Sequence, residues 1–356
     1  MSDKHNSARE VRKGEELNEA NLQAFLFENE LTQDKNSPLT VQQFSGGYSN
    51  LTYLLQTENK EYVLRRPPVG AIKRGHDMGR EYKVLSKLYK VFKKCPQAYI
   101  YTENTEVIGS SFYVMERIDG IILRPKKVKA LELLPQDFQK IATAWLDTLV
   151  ELHSVDYKAA GLEDLGKPIG YVERQVTNWS KQYLKAKTEE IPSAIKVMEW
   201  IEVNQPKTYD FSLIHNDYKY DNVIFADTTW NEVRAILDWE MTTIGDPLMD
   251  LGMSLGYWMM KDDPDTMKMG MGFPTVHEGN PSRQEIAEQY AQKSGRNLSH
   301  LTFYYAFGLF KIAVIVQQIY ARYEKGYTQD PRFAHLNIVC KNFCDAAWQA
   351  IQKDRV

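Results

Sequence analysis

The sequence predicts an α+β chain in two lobes, with an antiparallel sheet and a helix in the first third and a mainly helical remainder. Strand-forming runs crowd between residues 41 and 65 and return at 111–115. From residue 138 onward apolar residues recur at helical spacing, and one strand–loop–strand interruption at 211–238 breaks the helical part. The turn Asp119-Gly120 separates the two regimes, which gives an N-terminal lobe of residues 1–118 and a C-terminal lobe of residues 119–356.

The elements follow in order. Residues 1–37 are polar and carry one amphipathic helix, with Leu22, Phe25 and Leu26 on one face. Val41 to Phe44, Leu51 to Leu55 and Tyr62 to Arg65 read as strands, and Pro67-Pro68 stops the third because proline cannot donate to the ladder. Asp77 to Tyr89 is helical, with Tyr82, Leu85 and Leu88 on one side, and Ser111 to Met115 is a buried strand. Phe138 to His153 repeats Ile141, Trp145, Leu149 and Leu152 along one helical face, and Ser193 to Val203 is a second helix. Strands are expected at 211–214, 222–225 and 233–237, and helices resume after Pro247. Residues 260–283, rich in Met, Gly, Pro and Asp, suggest a mobile loop or lid.

Composition narrows the function. With 356 residues, 43% of them hydrophobic, the chain can bury a core in each lobe. Lys and Arg number 44 against 47 Asp and Glu, so no net field calls for nucleic acid or an anionic membrane. The polar start MSDKHNSAREVRKGEEL lacks the apolar stretch of a secretory signal. Leu309 to Ile319 is apolar but broken by Lys311, Gln317 and Gln318, and is too short to span a bilayer. Cys95, Cys340 and Cys344 cannot all pair within one chain, which fits a reducing cytoplasm. The last two share a helical face, but two ligands are too few for a metal site.

The chemistry concentrates in His215-Asn216-Asp217-Tyr218-Lys219-Tyr220-Asp221-Asn222, followed by Leu237-Asp238-Trp239-Glu240. Phosphoryl transfer requires an acceptor oxygen held in line and neutralised phosphate charge. A carboxylate that meets the acceptor hydroxyl serves the first need, and an Asn oxygen with a second carboxylate can hold Mg²⁺ for the other. A polar hairpin whose Asp and Asn make turns explains either residue alone, but not the ordered set.

This region resembles the aminoglycoside phosphotransferase and choline kinase family, of protein-kinase-like fold, whose loop reads H-[GN]-D-x-x-x-x-N. The resemblance implies Asp217 as the catalytic aspartate, Asn222 and Asp238 as metal ligands, and His215 as a brace; Asn216 stands where Gly is commoner. It also implies a phosphate-covering loop at Ser45-Gly46-Gly47-Tyr48-Ser49-Asn50, with Gly46, Gly47 and Ser49 in contact with the nucleotide. The family's phosphate-gripping Lys is replaced by Arg65 or Arg66, one of which faces the cleft, and Glu81 matches the helix glutamate that pairs with it. Phe112 to Gly120 resembles the hinge, where Glu116 and Ile118 would hold adenine by their backbones with Met115 near the base. Leu152-His153 and Gly245-Asp246-Pro247-Leu248-Met249-Asp250-Leu251 match supporting motifs; Asp246 can cap a helix and Asp250 brace the loop.

The match runs from about Leu39 to Gly326 and is most similar to the branch related to kinase-like domains fused to acyl-CoA dehydrogenases. It implies an ATP- and Mg²⁺-dependent kinase of a small hydroxyl compound, with a hydroxyacyl or other lipid-like acceptor. Tyr257, Trp258, Tyr304 and Tyr305 are candidates to line the acceptor pocket. The alternative is a nucleotide-binding regulator that has lost catalysis.

Overall fold

The computed structural model describes residues 8–44, 50–68, 77–268, 273–328 and 330–356. Gly46, Gly47 and Ser49 lie outside the described residues.

β1 (Thr40–Gln43), β2 (Leu51–Gln56), β3 (Glu61–Arg66), β4 (Ala98–Thr102) and β5 (Phe112–Glu116) form an antiparallel sheet in the order β1-β2-β3-β5-β4. Strand alternation gives the sheet two different faces. Tyr53, Leu55, Leu64 and Val114 pack on one face beneath Leu22 and Leu26 of the helix Glu19–Glu28. Val63, Tyr113 and Met115 share the other with Leu85 and Leu88 of the helix Met78–Leu88, capped by Asp77 through the Arg80 N–H at 2.9 Å. The strand of this sheet missed in the sequence is β4. It is an edge strand with mostly half-buried residues and a register shift between Ala98 and Ile100, so no period-two pattern marks it.

β6 (Ile121–Ile122), β7 (Ser212–Ile214), β8 (Val223–Phe225), β9 (Val233–Ile236) and β10 (Thr243–Gly245) build two small sheets, β6-β8-β9 and β7-β10. They lie among the helices Pro135–His153, Tyr171–Ala186, Pro192–Val203, Pro247–Tyr257 and Leu301–Glu324. Among the described residues Leu301–Glu324 is the one helix long and apolar enough to cross a membrane, but 78% of its apolar window is buried inside the protein. It is apolar all round because it runs through the core. It crosses Pro247–Tyr257 so closely that a Cβ on Gly252 would stand 2.2 Å from the Tyr304 carbonyl oxygen. A Cβ on Gly308 would stand 2.3 Å from the Gly252 carbonyl oxygen, and Lys311 follows on the next turn.

The described parts of residues 260–283 are docked on the helical lobe. Arg283 pairs with Asp263 and donates from Nε to the Trp258 carbonyl at 2.8 Å, and the Tyr220 hydroxyl donates to Asn280 at 3.0 Å. Cys95, Cys340 and Cys344 are buried thiols, and burial pushes the Cys95 thiol up.

Candidate active site

The loop 215–222 joins β7 to β8 and is held from below. Asp250, on the helix Pro247–Tyr257, accepts the His215 and Asn216 N–H groups at 2.6 and 2.7 Å. Its carboxylate also meets His153 Nε2 at 3.1 Å, while the Tyr290 hydroxyl meets Nδ1 at 2.7 Å. Burial pushes the Asp250 carboxyl up, but these donors outweigh it and hold it below its ordinary range. The His215 ring bridges the loop to the end of β9. Its Nδ1 accepts the Asp217 N–H at 3.3 Å, so Nε2 carries the proton given to the Leu237 carbonyl at 2.9 Å.

Asn216 has φ +68°, a left-handed backbone that Gly and Asn tolerate best. This explains why either residue serves at that position. The departure from Gly adds contacts: Asn216 Nδ2 donates to the Met241 carbonyl at 3.1 Å and Oδ1 accepts from Lys311 Nζ at 3.1 Å. Asp246 caps the helix Pro247–Tyr257 through the Leu248 N–H at 2.9 Å and accepts the Tyr304 hydroxyl at 2.7 Å. Burial pushes its carboxyl up to about 6.

The fold places Asn222 and Asp238 on one cleft and Asp217 against Asn222. Asn222 Nδ2 donates to Asp217 Oδ2 at 2.8 Å, and the Leu237 N–H donates to the Asn222 carbonyl at 2.8 Å, which sets Asp238 beside Asn222. A cavity of about 190 Å³ opens there, between Arg65, Glu81, Met115, Ile118, Asn222 and Asp238. Asn222 and Asp238 offer two hard oxygens, a donor set that suits Mg²⁺ once phosphate and water complete it. Among the described residues no group of three His, Cys, Asp or Glu side chains could hold a metal without such help. Glu116 and Ile118 both line this cavity. The Glu116 N–H is taken by the Gln97 carbonyl at 2.8 Å, and the Ile118 carbonyl accepts the Arg117 guanidinium.

Between Arg65 and Arg66 the sheet decides. Arg65 is on the cleft face, ion-paired with Glu81 and 3.1 Å from Asp238. Arg66, on the opposite face, donates to the Tyr53 hydroxyl at 3.2 Å and the Ile108 carbonyl at 3.3 Å. Burial disfavours the Arg65 charge, but Glu81, Asp238 and Glu240 hold the guanidinium protonated. Burial raises the Asp238 carboxyl, and Arg65 overrides that and leaves it below its ordinary range.

Four functional side chains were not singled out from the sequence. Lys219 Nζ lies 2.9 Å from both Asp217 carboxylate oxygens and 4.7 Å from the Tyr257 ring centroid. Glu240 accepts from Asn50 Nδ2 at 2.8 Å and sits 3.9 Å from Arg65. Arg80 ties the helix Met78–Leu88 to the segment after Asp238 through the Glu240 carbonyl at 2.9 Å and the Thr242 carbonyl. Lys311 is the fourth, and its charge inside an apolar run was the available signal. The other three look like solvated charges until the tertiary contacts are known. Of the aromatic candidates, Tyr257 is beside Asp217 and Lys219, whereas Trp258 packs on Trp145 at 5.0 Å and Tyr304 is committed to Asp246. Tyr305 stacks under Arg283 at 5.3 Å, on the side of residues 260–283.

The profile of the phosphotransferase enzyme family matches residues 40–283, more than half of the chain. Acyl-CoA dehydrogenase family member 11 from Homo sapiens is 36% identical over 312 residues, covering 86% of this chain and 39% of that protein. The chain thus spans well under half the length of that relative. The crystal structure of a candidate aminoglycoside phosphotransferase from Ralstonia eutropha superposes with a TM-score of 0.81 at 30% identity, over 95% of this chain and 99% of that one. The aminoglycoside phosphotransferase APH(4)-Ia, solved with ADP and hygromycin B, shares the fold at TM-score 0.57 and 14% identity, over 92% of this chain and 98% of that one. With this two-lobed kinase-like architecture and this loop, the chain belongs to the phosphotransferase enzyme family.

Proposed function

We propose that this phosphotransferase moves the γ-phosphate of ATP to a hydroxyl of a small molecule, with Asp217 as the catalytic carboxylate. The observation that carries the reading is that Asn222 and Asp238 line one cleft with Arg65 while Asp217 is hydrogen-bonded to Asn222. Adenine enters beside Met115 and meets the Glu116 carbonyl and the Ile118 N–H, the two hinge groups not engaged by Gln97 and Arg117. Arg65, fixed by Glu81, grips the phosphates with a planar fork where the family commonly has Lys. Gly46, Gly47 and Ser49 would cover them from the strand connection. Bound by Asn222 and Asp238, Mg²⁺ would neutralise charge on the transferring phosphoryl group. Asp217 orients the acceptor hydroxyl and takes its proton, while Lys219 holds the carboxylate in place and screens it from the phosphate.

The acceptor we favour is a hydroxylated acyl or other lipid-like compound, a choice supported by the similarity to acyl-CoA dehydrogenase family proteins. Asp217→Ala should lower phosphoryl transfer by about 10²–10⁴-fold and leave ATP binding by calorimetry intact. Transfer at the wild-type rate in that variant removes Asp217 from the mechanism. Products are identified by exposing a metabolite extract to protein and labelled ATP, with the variant as control.

A further inference from the structure

A second cavity of about 380 Å³, which shares no lining residue with the cleft at Asn222 and Asp238, is lined by Lys167, Tyr171, Arg174, Trp179, Asn216 and Lys311 among others. Among the described residues no carboxylate lines it, and the charged ones that do are all cations. Lys311 is its floor. The residue is 3% exposed, and among the described residues its Nζ meets only neutral groups: Asn216 Oδ1 at 3.1 Å, the Asn216 carbonyl at 3.5 Å and the Trp179 ring at 5.4 Å.

The acids whose fields reach Lys311 are Asp250 and Asp217, and both are saturated at shorter range. Asp250 is held by His215, Asn216 and His153, and Asp217 by Lys219 and Asn222. An ammonium buried without a counter-ion is unfavourable unless an anion arrives from outside. Arg174 and Lys167 add positive charge at the rim, Arg174 being fixed there by donating to the Lys167 and Ile169 carbonyls. Trp179 and Tyr171 give the same cavity apolar walls.

We infer that this cavity is the acceptor subsite for an anionic group, so that the hydroxyl compound phosphorylated at Asp217 also carries a carboxylate or a phosphate that seats on Lys311. This rests on the kinase reading above. It names a substrate class that the reading leaves open, and it assigns Lys311 as a specificity-determining residue.

The test uses binding and transfer side by side. The probes are ω-hydroxy carboxylates of graded chain length and glycerol 3-phosphate, with the matching ω-hydroxy methyl amides and glycerol as uncharged controls. Each is titrated by calorimetry into the full chain, the Lys311→Met variant and the rim variant Lys167→Ala, and each is offered with labelled Mg-ATP. The wild type should favour at least one anionic probe over its control by about ten-fold or more, the size of a charge-assisted contact. Lys311→Met should bring that ratio towards one, and Lys167→Ala should reduce it less. The rim variant, at an exposed position, keeps the test readable should the buried substitution fail to fold. Anion binding that depends on Lys311 without phosphate transfer upholds an anion site at Lys311 but overturns its role as an acceptor subsite. Transfer to charged and uncharged probes alike, or equal binding of both, overturns the subsite and leaves the kinase reading standing. Preference for the carboxylate or for the phosphate arm identifies which anion is bound.

Discussion

On the nucleotide side of the loop 215–222, cations meet carboxylates: Arg65 lies against Glu81 and Asp238, and Lys219 against Asp217. In the second cavity, Lys311 meets among the described residues only an amide, a carbonyl and a ring, and Lys167 and Arg174 share the lining. The first region is electrostatically closed and holds its shape before any ligand binds. The second carries uncompensated charge and is complete only with an anion in it. The difference separates a site that positions a common cofactor from one that selects an acceptor.

Removing Glu81 should break the closed side most severely. Glu81→Ala leaves Arg65 buried with its nearest partner gone, and unfolding in urea should show a loss of about 3–5 kcal/mol. A loss under about 1 kcal/mol would mean that the pair is solvated in solution and that the comparison fails on this side.

Lys311→Met should act with the opposite sign, raising stability at neutral pH by on the order of 1–2 kcal/mol, because it removes a charge that has no anion. Burial lowers the Lys311 pKa to about 8 from 10.5, against the pull of Asp250 and Asp217. Between those values the unfolded chain binds more protons than the folded one. Stability of the wild type should therefore rise with pH from about 8 to 10.5 relative to Lys311→Met. Unfolding curves at both pH values check this, and a constant difference would show that Lys311 finds a counter-ion in the free protein.

The smallest effect sharpens the boundary between the two regions. Asn216→Gly keeps the left-handed backbone but removes the Oδ1 acceptor from buried Lys311, and Asn216→Ala should cost roughly 1 kcal/mol more for the positive φ. Both remove the side-chain contacts to Lys311 and Met241, so both should raise the acceptor KM more than the ATP KM. Equal changes in the two KM values would place Asn216 on the nucleotide side.

The paired region was legible in the sequence because its groups sit in short, ordered motifs. Asp217 and Asn222 are five residues apart in one loop, and Asp238 ends the next strand. Strand alternation allowed one arginine to face the cleft, and pairing of β3 with β5 selected Arg65. The acceptor side was not legible. Lys167, Arg174, Asn216 and Lys311 are distant in the chain; the first three alone read as surface charges or a loop residue, and only Lys311, inside an apolar run, stands out. Trp258 and Tyr304 were equally ambiguous, since helical spacing does not say whether an aromatic faces a core or a cavity.

The sequence by itself determined the two-lobed α+β plan, the polar loop and the order of its acids, because local periodicity and turn chemistry are short-range properties of the chain. Only the tertiary structure decided which arginine faces the cleft, that Lys219 holds Asp217, and that Lys311 is buried beside Asn216 with no carboxylate in contact among the described residues. Those outcomes depend on which distant segments exclude water together, and the energy of a charge is set by that exclusion rather than by its neighbours in the chain.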